Sequence, residues 1–241
     1  MFDDLIYKFQ RAFIEDDRYM QVLGGLGNTL IITFGALVIG VVIGVIVAAI
    51  RSSYDQNCAS LKRKGGIGYY VFKIINGICK VYLTFFRGTP VVVQLMIMYF
   101  VLFRSARNGV PVGIVAFGIN SGAYVAEIFR GGIMSVDRGQ FEAGRSLGFN
   151  YLQTMTHIII PQMFKNVLPT LCNEFIALLK ETSVVGYIGV VDLTKSGNII
   201  GGRIYEYFVP LFTIALIYLA MVMLLTWLVG KLERRLRTSE R

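Results

Sequence analysis

The chain has 241 residues, 55% of them hydrophobic and 16% charged, with a mean hydropathy of +0.61. Length alone allows one or two domains, but so much apolar surface with so few charges excludes a soluble enzyme, a nucleic-acid-binding module and a disulfide scaffold. The net charge of +9 falls in connecting segments, where it reads as topology and not as a footprint for nucleic acid.

Three uncharged runs set the class: residues 19–50, 108–126 and 207–230 hold 32, 19 and 24 residues without a charge. A helix crosses a bilayer with about 20 apolar residues, so the chain reads as an all-α integral membrane protein. In chain order, residues 1–22 carry Asp3, Asp4, Glu15, Asp16 and Asp17 in place of a basic leader. No signal peptide is expected there, only an extracytoplasmic N-terminal segment. The first span covers 24–50 and ends at Arg51. Its Gly40 and Gly44 form a small-xxx-small pair, read as close helix packing. Residues 51–80 are basic, with Gly65, Gly66 and Gly68 marking a turn, and read as a solvated loop running into an interfacial segment.

The second span, 81–103, is apolar except for Arg87; the third is 108–129. The fourth, 166–190, is interrupted by Glu174, Lys180 and Glu181, and the fifth is 207–230. The transmembrane domain is thus a single unit over 23–230, followed by a basic cytoplasmic tail over 231–241. The connections 1–22, 104–107 and 192–206 hold seven Lys and Arg, whereas 51–80, 130–165 and 231–241 hold fifteen. Loops rich in Lys and Arg stay cytoplasmic. The N-terminus is therefore outside and the C-terminus inside, which needs an odd number of spans, and five satisfies it.

The connection between the third and fourth spans is built differently from the rest. A short helix is predicted over 139–147, and Gly148 suits the left-handed position that ends one. A second helical stretch follows and is expected to stop at Pro161. Such a helix–Gly–helix element can present an amphipathic plug to a partner's groove, anchored by Phe141, Leu147 and Phe149, with Glu142 and Arg145 setting register. A plain interfacial helix is the alternative. The single histidine, His157, reads as the interfacial end of this element. With only one histidine and with Cys58, Cys79 and Cys172 scattered, neither a metal site nor histidine-based catalysis is expected.

Ionisable residues inside a membrane are costly and are functional candidates by default. Asn120, Tyr124 and Glu127 fall at i, i+4 and i+7, one stripe that can line a polar cavity and bind an ammonium group. Pairing of Glu127 with Arg130 is the structural alternative. Gly88 and Pro90 interrupt the second span, and Pro90 suits the first turn of a new helix whose N–H groups, with Thr89, can hold a carboxylate. Arg87 either supplies charge there or snorkels to the cytoplasm. Glu181 shares a helix face with Glu174 and neighbours Lys180, which suits an ion pair.

Residues 139–162, GQFEAGRSLGFNYLQTMTHIIIPQ, resemble the EAA motif of ABC-importer permeases. Glu142 and Ala143, Gly148 and residues 158–161 match, while Gly144 replaces the second alanine and is expected to loosen the helix by about 1 kcal/mol. FRGTPVVVQ (86–94), SGAYVAEIFRGGI (121–133) and NEFIALLKETSVV (173–185) look like the polar amino acid branch of that family. The resemblance covers about residues 20–237. It implies a type I importer permease that pairs with a second copy of itself or a sister permease, in the cell membrane of a prokaryote. It also implies that the stretch holding Lys180 and Glu181 lies near the translocation path. Cytoplasmic ATPase subunits would dock on Gln140, Phe141, Glu142, Ala143, Arg145, Leu147, Gly148 and Phe149. An extracytoplasmic solute-binding protein would deliver the amino acid.

ATP and magnesium would be bound by the partner ATPase. The chain itself has no GxxxxGK[ST] phosphate loop, and no cofactor or enzymatic activity is expected of it. Two other functions stay open: an ion-coupled secondary amino acid carrier with Glu127 and Glu181 as proton relays, and a membrane scaffold whose loop recruits a soluble partner.

Overall fold

The computed structural model describes residues 2–64 and 66–238, and every regular element among them is helical. Gly65 of the expected turn and residues 239–241 of the basic tail lie outside the described residues. Helix α1 (Phe2–Phe9) leads through a π-turn (Gln10–Ile14) and a 3-10 turn (Glu15–Asp17) into α2 (Tyr19–Lys64). Helices α3 (Ile67–Gly88), α4 (Val91–Ile97), α5 (Gly109–Met134), α6 (Arg138–Ser146), α7 (Tyr151–Thr154) and α8 (Ile160–Glu181) follow. A 3-10 segment (Thr182–Ile188), α9 (Leu193–Ile204) and α10 (Phe208–Thr238) complete the chain.

By length and apolarity, Tyr19–Cys58 of α2, all of α5 and Phe208–Leu236 of α10 qualify as membrane-crossing helices, and α3 with Val91–Leu102 qualifies as a broken fourth. The expected span over 166–190 is carried by α8 and the 3-10 segment, where Glu174, Lys180 and Glu181 lower the apolarity.

Two expectations need correction. Residues 51–64 and 67–80 are helical instead of forming a loop. Residues 51–64 contain neither Gly nor Pro, so nothing halts α2 before the glycines. Gly66 then takes φ +109°, which a side chain would oppose. The second correction concerns Pro161, which does not end its helix. A π-turn (Met155–Ile159) lies just ahead, and the Ile160 N–H reaches back to the Met155 carbonyl. The wider turn admits a proline ring that has no N–H to contribute, and α8 continues past it.

The chain divides into two compact units whose limits fall within helices α2, α5, α8 and α10 and at the break between α3 and α4. The first comprises Met1–Val38, Pro90–Gly118 and Phe175–Leu228. One apolar cluster in it centres on Ile32, Leu95, Phe117, Leu178 and Val185, and a second on Phe13, Leu193, Ile200 and Val209. Its buried Asp192 is satisfied locally: the carboxylate accepts from the Thr194 and Lys195 N–H groups at 3.0 Å each and caps α9.

The second unit comprises Ile39–Thr89, Ile119–Glu174 and Val229–Arg241. Phe129, Ile159, Met163 and Val167 form one core, and Val47, Leu83, Ala123 and Ala126 another. Here the Gly40 and Gly44 pair does what its spacing suggests. A Cβ at Gly44 would lie 2.5 Å from Val125 Cγ1 and 2.9 Å from the Ala126 nitrogen, so α2 and α5 touch almost backbone to backbone. By contrast, a Cβ at Gly24 meets nothing within 4 Å. We therefore expect Gly44→Val to cost about 1–3 kcal/mol by overpacking, read as a lowered unfolding temperature of the purified protein. Gly24→Ala, on the same helix, should leave that temperature unchanged or raise it.

Candidate functional site

The site is built on the break that follows α3. The residue before a proline is pushed out of the helical region, and Thr89 accordingly sits at φ −119°, ψ 148°. Pro90 caps α4 instead of occupying its first turn, one position earlier than the sequence suggests. Because Pro90 has no N–H, the Phe86 carbonyl loses its helical donor. Asn120 of α5 takes that place, donating through Nδ2 at 3.0 Å, and is itself buried. Thr89 turns back onto its own helix and donates to the Phe85 carbonyl at 2.8 Å.

Around this break lies a ladder of charges in the second unit. Arg87 Nη1 is 3.7 Å from Glu127 Oε1, and Arg130 Nη1 is 3.9 Å from Glu127 Oε2. Arg130 also donates to Asp55 Oδ2, at 2.9 Å from Nη2 and 3.3 Å from Nε. The Arg87 guanidinium stands 5.6 Å from the centre of the Tyr124 ring, within cation–π range. Deeper in, Ser121 Oγ donates to Glu174 Oε1 at 2.8 Å.

Two cavities flank Arg87 and Glu127. One of about 530 Å³ is lined by Arg87, Tyr124, Glu127, Asn166, Thr170 and Glu174 among others. The other, of about 480 Å³, is lined by Arg51, Lys80, Leu83, Thr84, Arg87, Gly88 and Glu127. Carboxylates, a guanidinium, an amide and hydroxyls together in the larger cavity can hold a small zwitterion with a polar side chain.

The structure thus brings Arg87, Tyr124 and Glu127 together. Glu127 pairs with Arg130, the structural alternative, and also lines the larger cavity, while its pairing with Arg87 was not expected; Arg87 faces Glu127 and Tyr124. Asn120 does not line the larger cavity, because at its level α5 faces a carbonyl in need of a donor. Thr89 is likewise spent on its helix, and Gly88 borders the smaller cavity. Glu181 belongs to the first unit, at the end of α8. Sequence reasoning left out Asp55, Arg51, Asn166 and Thr170. Of these only Asp55 carried a signal, as the lone acid in the basic stretch 51–80.

The helix–Gly–helix element forms as expected in outline. Asp137 caps α6, accepting from the Gly139 N–H at 2.6 Å, and Gly148 takes φ +80°. Asn150 and Gln153 then form a reciprocal capping box that starts α7. Leu147, Phe149 and Leu152 are exposed, as are Gln140, Glu142, Ala143 and Arg145. Phe141 departs from expectation: it is half-buried and packs against the Phe129 core. Gly144 has a packing role in place of the expected looseness, since a Cβ there would lie 2.8 Å from both Thr154 Cγ2 and Oγ1. His157 is exposed at the π-turn, its ring 6.1 Å from that of Phe149.

The family of binding-protein-dependent transport system inner membrane components matches residues 65–238. The arginine transport system permease protein ArtQ of Bacillus subtilis is 35% identical over 91% of this chain and 94% of its own. A putative glutamine transport system permease protein, GlnP, of Rickettsia typhi is 32% identical over 89% of this chain and 92% of its own. Among solved structures, an amino acid ABC transporter crystallised with histidines matches at TM-score 0.79 and 39% identity, over 92% of this chain and 98% of that one. An inward-facing structure of the MetNI methionine ABC transporter matches at TM-score 0.76 and 19% identity, which bears on the fold alone.

Two substitutions test the local geometry. Asn120→Ala removes a buried donor from the break and should cost about 1–3 kcal/mol in thermal or denaturant unfolding. Gly144→Ala should lower stability by about 1 kcal/mol even though alanine favours helix, because overpacking exceeds the propensity gain. Adding Thr154→Ala should return most of that loss.

Proposed function

The chain belongs to the family of binding-protein-dependent transport system inner membrane components, and on that footing we propose that it is the membrane-spanning subunit of an ATP-driven importer of a polar amino acid. It crosses the bilayer five times, N-terminus out and C-terminus in, in the cell membrane of a prokaryote. Its partners are a second permease copy or a sister permease, cytoplasmic ATPase subunits that bind ATP and magnesium, and an extracytoplasmic solute-binding protein. The chain breaks no bond itself.

The observation that carries this reading is the element formed by α6, Gly148 and α7, which offers Leu147, Phe149 and Leu152 to solvent beside the charges of Glu142 and Arg145. Apolar anchors on a capped helical corner suit insertion into a groove of a partner. The α6–α7 element packs on the same core as α5 through Phe141, Tyr151 and Phe129. Movement of a docked ATPase is thereby passed to the helix that bears Tyr124 and Glu127. ATP and the binding protein each favour one conformation, since a ligand shifts an equilibrium only through differential affinity. The amino acid's ammonium goes to Glu127 and Glu174, and its carboxylate to Arg87. Names of relatives that specify arginine and glutamine support a polar amino acid without selecting one.

Gentle purification of the tagged chain from its native membrane should bring down a stoichiometric protein with a phosphate-loop ATPase domain. Its reproducible absence, with uptake intact, would overturn the proposal. Gly148→Val should leave the complex assembled yet reduce uptake at least tenfold at equal ATP hydrolysis, because a β-branched residue opposes φ near +80° and misaligns the corner. Unchanged uptake would remove the coupling role from this corner.

A further inference from the structure

We propose that Arg51 and Lys80, beside Arg87, form a receptor for a phosphate group, supplied by an anionic phospholipid of the surrounding leaflet. These three cations border the cavity of about 480 Å³ with the Thr84 hydroxyl and a single carboxylate, Glu127. That carboxylate is already divided between Arg87 at 3.7 Å and Arg130 at 3.9 Å, so the cavity is left electropositive. Lys80 makes no ion pair among the described residues. The Arg51 Nε is buried and has no hydrogen-bond partner among the described residues. A buried guanidinium N–H without an acceptor is costly, and an anion in the cavity removes the cost.

The surroundings specify a lipid. Lys80, Thr84 and Arg87 lie at i, i+4 and i+7 on α3, one polar stripe. Ile74, Ile78, Val81 and Phe85 form a second stripe on the same helix, and all four are exposed. A headgroup phosphate in the cavity can therefore lay its acyl chains along an apolar helix face. Arg51 marks the end of the first apolar run, the depth at which basic pockets between helices meet anionic headgroups on the cytoplasmic side. The choice of leaflet rests on the N-out, C-in importer reading.

The test uses the full-length chain purified in a neutral detergent, with its unfolding temperature followed during titration. The additives are dihexanoylphosphatidylglycerol, dihexanoylphosphatidylcholine and inorganic phosphate at matched ionic strength. The wild type should be stabilised by phosphatidylglycerol well beyond phosphatidylcholine. Joint replacement Arg51→Gln and Lys80→Gln should weaken that preference by roughly 25-fold, the loss of two cation contacts. The charge-preserving pair Arg51→Lys and Lys80→Arg should retain most of it, and Lys80→Gln alone serves if the double variant does not fold.

Equal stabilisation by inorganic phosphate overturns the lipid as source, and equal response of wild type and variants overturns the site. Amino-acid-stimulated ATP hydrolysis by the co-purified complex, measured in parallel, reports on the importer alone. Hydrolysis without a lipid preference removes only the phosphate receptor. A lipid preference without hydrolysis removes only the importer.

Discussion

Hydrocarbon has no water to lend to a broken helix, and that constraint organises the second unit. Every backbone donor and acceptor at membrane depth must find a partner within the protein. Pro90 ends α3 and withdraws the N–H that the Phe86 carbonyl would otherwise accept. Asn120 supplies the replacement, and in doing so fixes the rotation and height of α5 against α3. Tyr124 and Glu127, one and two turns further on, then fall opposite Arg87. A single side-chain amide thus determines which charges meet.

Packing in this unit follows from the same solvent. Lipid tails are as apolar as leucine, so helices gain little from hiding leucine and gain more from close approach. Gly40 and Gly44 let α5 lie against α2, and Gly122 admits the Tyr82 hydroxyl, which donates to the Ile119 carbonyl at 2.6 Å. The ladder Asp55, Arg130, Glu127, Arg87 ties α2, α5 and α3 at one end of that seam. With each middle member shared between two partners, no charge in the ladder stands alone.

Much of this was legible in the sequence, and the exceptions have physical causes. Uncharged runs exposed the apolar helices, since hydropathy is summed locally, and Gly148 between two helical stretches announced a helix–turn–helix. The extent of α2 was misjudged because a polar stretch was taken for a loop. Polar residues outside a membrane form helix as readily as any, and only glycine marked the end. Pro161 misled for a related reason, since its rule assumes an α-helical ladder and the ladder there is wider. Asn120 was assigned to the right stripe and the wrong task. Its hydrogen bond joins residues 34 positions apart, and no periodicity along one helix reveals a carbonyl on another. Asp55 stood out only as the lone acid of a basic stretch, and its partner Arg130 lies 75 positions away; Arg51 carried no signal of its own.

The wide turn at Met155–Ile159 bears on how the family can change length. A π-turn is one residue more than an α-helical turn needs. Deleting one residue within it would restore regular winding and leave the helix beyond facing much as it does now. Met163 and Val167 would keep their place in the Phe129 core, but Pro161 would meet an intact ladder with its ring. Chains that align here without a gap are expected to keep proline and bulge together, so a one-residue gap at this point should travel with loss of the proline.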